Sequence, residues 1–481
     1  GAPSRLLRRC TSLASEFWSD VVRRRDSGQC TARDRLLATA VLPFEPQPLG
    51  RWRSQWFEGW FFRFIDHAAG VSVAVILGSM RLPGRSASAP GAFDEHLLVL
   101  AFRDANGYHR TVHTILGEHD AQLLGGGAGQ LPSSMADSPP PKWEWRSTSH
   151  GFIRGAGDAV ELDVNVDAAR LIANVSAPRV VWSEASPDRE GPEGWLGRTG
   201  LLPCHYFVHS FASPASYALS FPVRHKVGGS PSANRAFAHS SGTANLTRLQ
   251  GHELIGFRGR ILRTMRVPLR LGRHAESSRL EHLKALSGHA STHIERNYGD
   301  AFPRGWVWAQ ASAPAPRAAQ MVLTGGRFVI GPVETESFVI ALRATAGATT
   351  HGLRNQSKTT PTGRTPMALT WNFRTTDGDD IRHERFPCEG VLRLNATSRD
   401  GKRRLFVRIR APPKTFGARI PVPTAEGFMD SPGCRESYNA TADLVAFART
   451  SRWSGPWGGV AAQVALTVPM AVLEFGGIYQ C

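Results

Sequence analysis

From about residue 50 onward the chain is cut into short apolar runs of strand length, each closed by glycine, proline or small polar residues. That pattern leaves no room for a helical bundle and demands many short strands. Residues 160–166 are the plainest case, with Val160, Leu162, Val164 and Val166 alternating with Glu161, Asp163 and Asn165, a strand with one dry and one wet face. Residues 71–77 and 97–102 are nearly continuous apolar runs, and residues 56–64 (WFEGWFFRF) are aromatic on both parities, so both faces are expected to be covered. Further runs lie at 171–175, 205–211, 216–223, 254–262, 306–310, 320–323, 338–342, 369–373, 391–394, 405–409 and 440–447. Glycine (48) and proline (32) exceed their usual shares, as strand punctuation requires. In all, about eighteen to twenty strands are expected, enough for two barrels or sandwiches. One helical pattern interrupts them at 277–286, and the least strand-like stretch, 267–292, marks the expected boundary between a first β domain at 51–270 and a second at 291–481. Loops are expected at 183–194, 228–234 and 345–366, and a lid or disordered segment at 125–141.

With 481 residues, 41% hydrophobic and 20% charged, the chain is neither a disordered tail nor a membrane bundle. The apolar stretch 460–478 is broken by Gln463, Pro469 and Glu474 and reads as two strands around a turn, not as a membrane span. Residues 1–50 form a basic extension in which Leu6, Leu7, Cys10, Leu13, Phe17, Trp18, Val21 and Val22 recur at helical steps between arginines. Such an amphipathic helix packs on its own domain, docks on a membrane surface or partner, or is the remnant of a transit peptide. The net charge of +17 is dispersed, only six of the 57 basic residues are lysine, and no nucleic-acid-reading signature accompanies them, so no nucleic-acid partner is expected. Six scattered cysteines make neither a disulfide scaffold nor a metal-ligand pattern. Ten asparagines would give about one or two N-x-S/T sequons by chance. Five occur, at Asn174, Asn245, Asn355, Asn395 and Asn439, which points to a secretory or ER lumen.

Four segments in order carry a more specific message. Residues 53–64 read RSQWFEGWFFRF, residues 293–311 HIERNYGDAFPRGWVWAQA, residues 424–441 TAEGFMDSPGCRESYNAT, and residues 470–477 MAVLEFGG. A weaker one, GWLGRTGL, lies at 194–201. Together they resemble the tocopherol cyclase family, departing from it at Asn297-Tyr298-Gly299, where plant-like members carry Asn-Trp-Gly. The resemblance implies an all-β fold of two lipocalin-like, calycin-type β-barrel domains, in agreement with the strand count. It also implies an intramolecular cyclase that closes a chromanol ring on a prenylated, phytyl-type benzoquinol without a redox cofactor. The implied setting is a plastid membrane or plastoglobule surface. A non-catalytic carrier of a hydrophobic ligand, or a silent subunit of an organellar complex, are the alternatives.

Ring closure needs an acid strong enough to protonate an alkene, walls that tolerate a tertiary cation, and a base for the phenolic proton. The acid is expected to be a carboxyl kept protonated by apolar neighbours. Glu58, set between Trp56, Phe57, Trp60, Phe61 and Phe62, fits that description, unless it pairs with an arginine such as Arg53 or Arg63. Glu295 is the second catalytic candidate. Trp56, Trp60, Phe62, Asn297, Tyr298, Trp306 and Trp308 are the expected substrate-binding residues, the aromatic rings among them acting through their faces. Arg435 and Glu436 are ambiguous between a site and a turn. His205, Tyr206 and His209 cluster at strand spacing, but two histidines lack a third ligand, so no metal is expected there.

Overall fold

The computed structural model describes residues 55–84, 93–125, 143–156, 159–176, 182, 191–194, 202–223, 282–315, 317–330, 333–345, 367–449 and 460–481. Regular structure among the described residues is β-strand apart from short 3-10 turns. The first sheet contains β1 (Trp56–Asp66), β2 (Val71–Arg81), β3 (Glu95–Arg103), β4 (His109–Gly117), β5 (Ala121–Gly125), β6 (Trp143–Ser147), β7 (Gly151–Ala156), β8 (Ala159–Val166), β9 (Ala169–Val175), β10 (Cys204–Val223) and β11 (His282–Gly299). The second contains β12 (Gly305–Ala313), β13 (Ala319–Ile330), β14 (Val333–Thr345), β15 (Met367–Arg374), β16 (Asp380–Phe386), β17 (Val391–Thr397), β18 (Arg403–Arg410), β19 (Ile420–Thr424), β20 (Gly427–Arg449) and β21 (Val460–Gly477).

Both sheets follow one plan. In the first, the strands run in chain order round a circle, with β1 closed against β11 and the circle open between β4 and β5. In the second, β12 closes against β21 and the opening falls between β15 and β16, again after the fourth strand, with β19 added on β20. The chain is therefore an all-β protein of two nearly closed, lipocalin-like barrels.

Alternation fills each interior. In the second barrel Val307, Ala309, Leu323, Ile340, Leu394 and Leu473 share one continuous core. In the first, Trp60 of β1 stacks on Trp143 at 5.4 Å between ring centres. That stack depends on Gly155, where a Cβ would fall 2.0 Å from the Trp143 ring nitrogen.

Three expectations need correction. Residues 291–299, assigned from sequence to the second β domain, pair with β1 in the first sheet, Phe61 opposite Glu295. Ser291, Thr292, His293, Glu295, Arg296 and Asn297 make the stretch polar although most of it is buried on both faces of β11, so it only looked like a boundary. His282–Leu286, the described end of the helical pattern, is likewise strand. Residues 460–477 form one strand rather than two: Pro469 lacks the N–H a ladder needs, and Met470 takes a left-handed conformation (φ 55°), so β21 bends without reversing. The register with β20 slips at the same place, between Ser437 and Ala442.

The N-terminal extension, the run at 254–262, the loops expected at 228–234 and 346–366 and the segment 126–141 lie outside the described residues. Where β10 ends and β11 begins, the Lys284 ammonium sits 5.9 Å from the centre of the Phe221 ring. Cys388 and Cys481 form a disulfide that ties the C-terminus to the turn before β17. Cys204 and Cys434 are free.

Candidate active site

The seam of the first barrel, β1 and β11, lies against the seam of the second, β12 and β21. Strand parity decides what meets there. On β1, Phe57 and Phe61 face the second barrel, Phe61 standing edge-on to Trp308 at 4.8 Å, while Trp60 points into its own barrel. Trp306 and Trp308 of β12 and Glu474 of β21 face back, with Glu436 of β20 beside them. The Trp306 ring lies flat over Gly476, where a Cβ would come within 1.9 Å of it.

These residues enclose a cavity of about 410 Å³. Its walls are mainly apolar and aromatic, and among its lining residues are six glutamates and no lysine, arginine or histidine. Four of the glutamates, Glu58, Glu295, Glu436 and Glu474, are buried, and they differ in how their charge is met.

Glu58 is fully buried and salt-bridged. Arg296 Nη2 donates to it at 2.8 Å and Trp56 Nε1 at 3.3 Å, and the guanidinium lies over the Trp60 and Tyr298 rings at 5.2 and 4.8 Å. The partner is Arg296 rather than Arg53 or Arg63. In the cross-strand register Arg296 sits opposite Trp60, on the same face as Glu58, whereas Arg63 has the opposite parity and Arg53 lies outside the described residues.

Glu295 gathers donors on one oxygen: Tyr206 Oη at 2.5 Å, His293 Nε2 at 2.9 Å and Trp308 Nε1 at 3.2 Å. Burial and the Glu295 charge push the Tyr206 hydroxyl well above its ordinary pKa, so it stays a donor.

Glu436 and Glu474 face each other. Their carboxyl oxygens and Cys434 Sγ all lie within 4.8 Å of one another, and the two carboxyls are hydrogen-bonded. Tyr438 Oη donates to Glu436 and Trp306 Nε1 to Glu474. Burial first, then the neighbouring Glu474, pushes Glu436 well above the usual carboxylate range, and burial raises Glu474 as well. Two adjacent buried carboxyls cannot both ionise cheaply, so the pair retains a proton. Cys434, Glu436 and Glu474 are also the one group among the described residues with metal-ligand spacing. A divalent ion there would first have to displace the protons that burial holds on the thiol and the carboxyl pair.

The nearby Arg63 is wholly buried, donating from Nε to Ser72 Oγ at 3.1 Å and from its two terminal nitrogens to Gln310 and the Met470 carbonyl. Burial pushes its pKa down to about 9. It clips the first barrel to the bend in β21.

Of the residues singled out from sequence, Glu58, Trp60, Glu295, Asn297, Trp306 and Trp308 line the cavity. Trp56, Phe62 and Tyr298 are not among its lining residues: Trp56 supports Glu58, Phe62 is wholly buried further along β1, and Tyr298 packs on His205 and Arg296. His205 is bound to Glu193 at 2.9 Å, and Arg435 points to solvent. Sequence reasoning missed the role of Glu474 although its apolar setting in MAVLEFGG carried the same signal as Glu58, and it left Glu436 undecided.

No protein-family model and no curated protein matches the sequence. Among solved structures, an AttH protein from Nitrosomonas europaea is 11% identical, covering 92% of this chain and 99% of its own, with a TM-score of 0.38. Kievitone hydratase from Nectria haematococca is 8% identical, covering 91% of this chain and 94% of its own, with a TM-score of 0.33.

Proposed function

We propose that the protein is an intramolecular cyclase of the tocopherol cyclase type, converting a prenylated benzoquinol to a chromanol in the cavity between the barrels. The observation that carries this reading is the proton-holding Glu436–Glu474 pair in an apolar cavity that is rich in glutamate and has no basic residue in its lining. A carboxyl kept neutral by burial is the kind of acid that alkene protonation requires, and Glu58, neutralised by Arg296, is not. The pair gives its proton to the less substituted alkene carbon, and the tertiary cation forms beside Trp306 and Trp308, whose rings and the now ionised pair stabilise it. The quinol oxygen then bonds to the cationic carbon. Its proton returns to the pair, directly or by way of Glu295, so no electron acceptor is consumed and the acid is regenerated.

The test is incubation of the purified chain with a phytyl-benzoquinol and measurement of the chromanol. Product at a rate above the uncatalysed one supports the reading. Intact protein that forms none sinks it, and binding of the quinol without turnover would instead favour a carrier.

A further inference from the structure

We propose that Asn174 carries an N-linked glycan and that the chain folds in an oxidising, secretory lumen. Five sequons are more than chance supplies, and the structure separates the three that it describes. In β9 the alternation sends Leu171, Ala173 and Val175 into the first barrel and Arg170, Ile172 and Asn174 to the solvent. Asn174 is exposed, and its cross-strand neighbours on that outer face are Glu161, half-buried and held by Arg154 at 2.6 Å, and the exposed Ser216. Ser176, the hydroxyl residue of the sequon, is exposed at the strand's end. A glycan on Asn174 therefore projects from the sheet and disturbs no packed side chain. Asn395 differs: it is half-buried on the outward face of β17 and its amide oxygen is buried, so it is the less accessible of the two. Asn439 is half-buried on β20.

The second observation is independent of the sequons. Cys388 and Cys481 are joined, a linkage that persists in the secretory route and that reducing compartments remove. The two free thiols fit the same setting. Cys434 is buried and Cys204 half-buried, so neither stands open on the surface to form a second disulfide.

The reaction is a transfer from a polyprenyl-diphosphate-linked oligosaccharide. The Asn174 carboxamide nitrogen forms a bond to the anomeric carbon and loses a proton, while the bond from that carbon to the diphosphate oxygen breaks and the polyprenyl diphosphate leaves. Neither oxidant nor reductant is involved.

The deciding experiment is peptide mapping of protein isolated from its native cells, treated with a peptide N-glycosidase in heavy-oxygen water and digested without reduction. The expected result is an Asn174 peptide that appears only after the glycosidase, converted to labelled aspartate, together with a linked Cys388–Cys481 peptide. In a eukaryotic host that secretes the full chain, Asn174→Gln is expected to lower the mass by one glycan and Asn395→Gln to leave it unchanged. An Asn174 peptide found unmodified in the native protein overturns the proposal. A glycan confined to other sequons overturns the site.

Discussion

The two barrels close with the same device and then use it differently. Each seam pairs an aromatic residue on the barrel's first strand with a glutamate on its last: Phe61 opposite Glu295 in one, Trp308 opposite Glu474 in the other. Both glutamates face the neighbouring barrel and both are buried. Glu295 meets a tyrosine hydroxyl, an imidazole and an indole, all donors, and behaves as an acceptor. Glu474 meets a second carboxyl and a thiol, and the pair holds a proton. Topology thus places a carboxyl at each seam, and the adjacent strand, β10 in one barrel and β20 in the other, sets what it can do.

If that division is right, the second seam alone supplies the acid. Replacing both Glu436 and Glu474 by glutamine is expected to lower the cyclisation rate by roughly 10²–10⁴-fold, the range general-acid catalysis contributes. The folded state should survive, because glutamine keeps the shape of each side chain, can hydrogen-bond its opposite, and leaves no buried charge unpaired. Chromanol formation and urea unfolding, measured on the same sample, check both halves. A double variant that cyclises at the wild-type rate would take the acid away from this seam.

At the first seam the same kind of change should injure the fold. Arg296→Met leaves Glu58 buried without its partner, a loss expected to cost about 3–5 kcal/mol. Adding Glu58→Gln to that variant should recover most of it, since the orphaned charge is gone. Equilibrium unfolding of the single and double variants reads the difference. Equal stabilities would mean that Glu58 does not depend on Arg296.

Much of this arrangement was legible in the chain. The alternation at Val160–Val166 and the runs around Trp56 and Trp306 gave strands and a two-barrel plan, because a half-buried strand writes its period directly into the sequence. The aromatic setting of Glu58 correctly marked a buried carboxyl, and Glu295, Trp306 and Trp308 do reach the cavity. What could not be read was partnership. Glu58 and Arg296 are 238 residues apart, and only the β1–β11 register puts them on one face. Glu436 and Glu474 become a pair through the β20–β21 ladder, where they stand directly opposite each other. The bend at Met470 was misread for a similar reason: proline followed by a left-handed residue is the local signature of a turn, and here the clip from Arg63 and continued pairing to β20 carry the strand through.

A finer test concerns the donors round Glu295. Tyr206→Phe removes one donor from a buried carboxylate while His293 and Trp308 remain, so the expected loss is about 1.5 kcal/mol, the low end for a hydrogen bond to a charged group. Thermal or urea unfolding measures it. The variant should keep cyclising, since the acid lies across the cavity. A collapse of activity at unchanged stability would move the proton chemistry to the first seam.

The last difference between the seams is their response to pH. Glu436 is held above its ordinary value of 4.5, first by burial and then by Glu474, so the folded chain keeps a proton that the unfolded chain releases. The sign follows from that: the pair's contribution to stability is fully present below about pH 4.5 and is lost as pH rises towards the folded pKa, at up to about 1.4 kcal/mol per pH unit for one proton. Urea midpoints of the wild type and of the variant with both Glu436 and Glu474 replaced by glutamine, compared between roughly pH 5 and pH 8, isolate this term, because that variant lacks both carboxyls of the pair and every other titrating group is common to both. The wild type should lose stability across that window faster than the variant. Parallel curves would mean that the pair carries no extra proton in the folded chain, and the two seams would then be alike in charge as well as in topology.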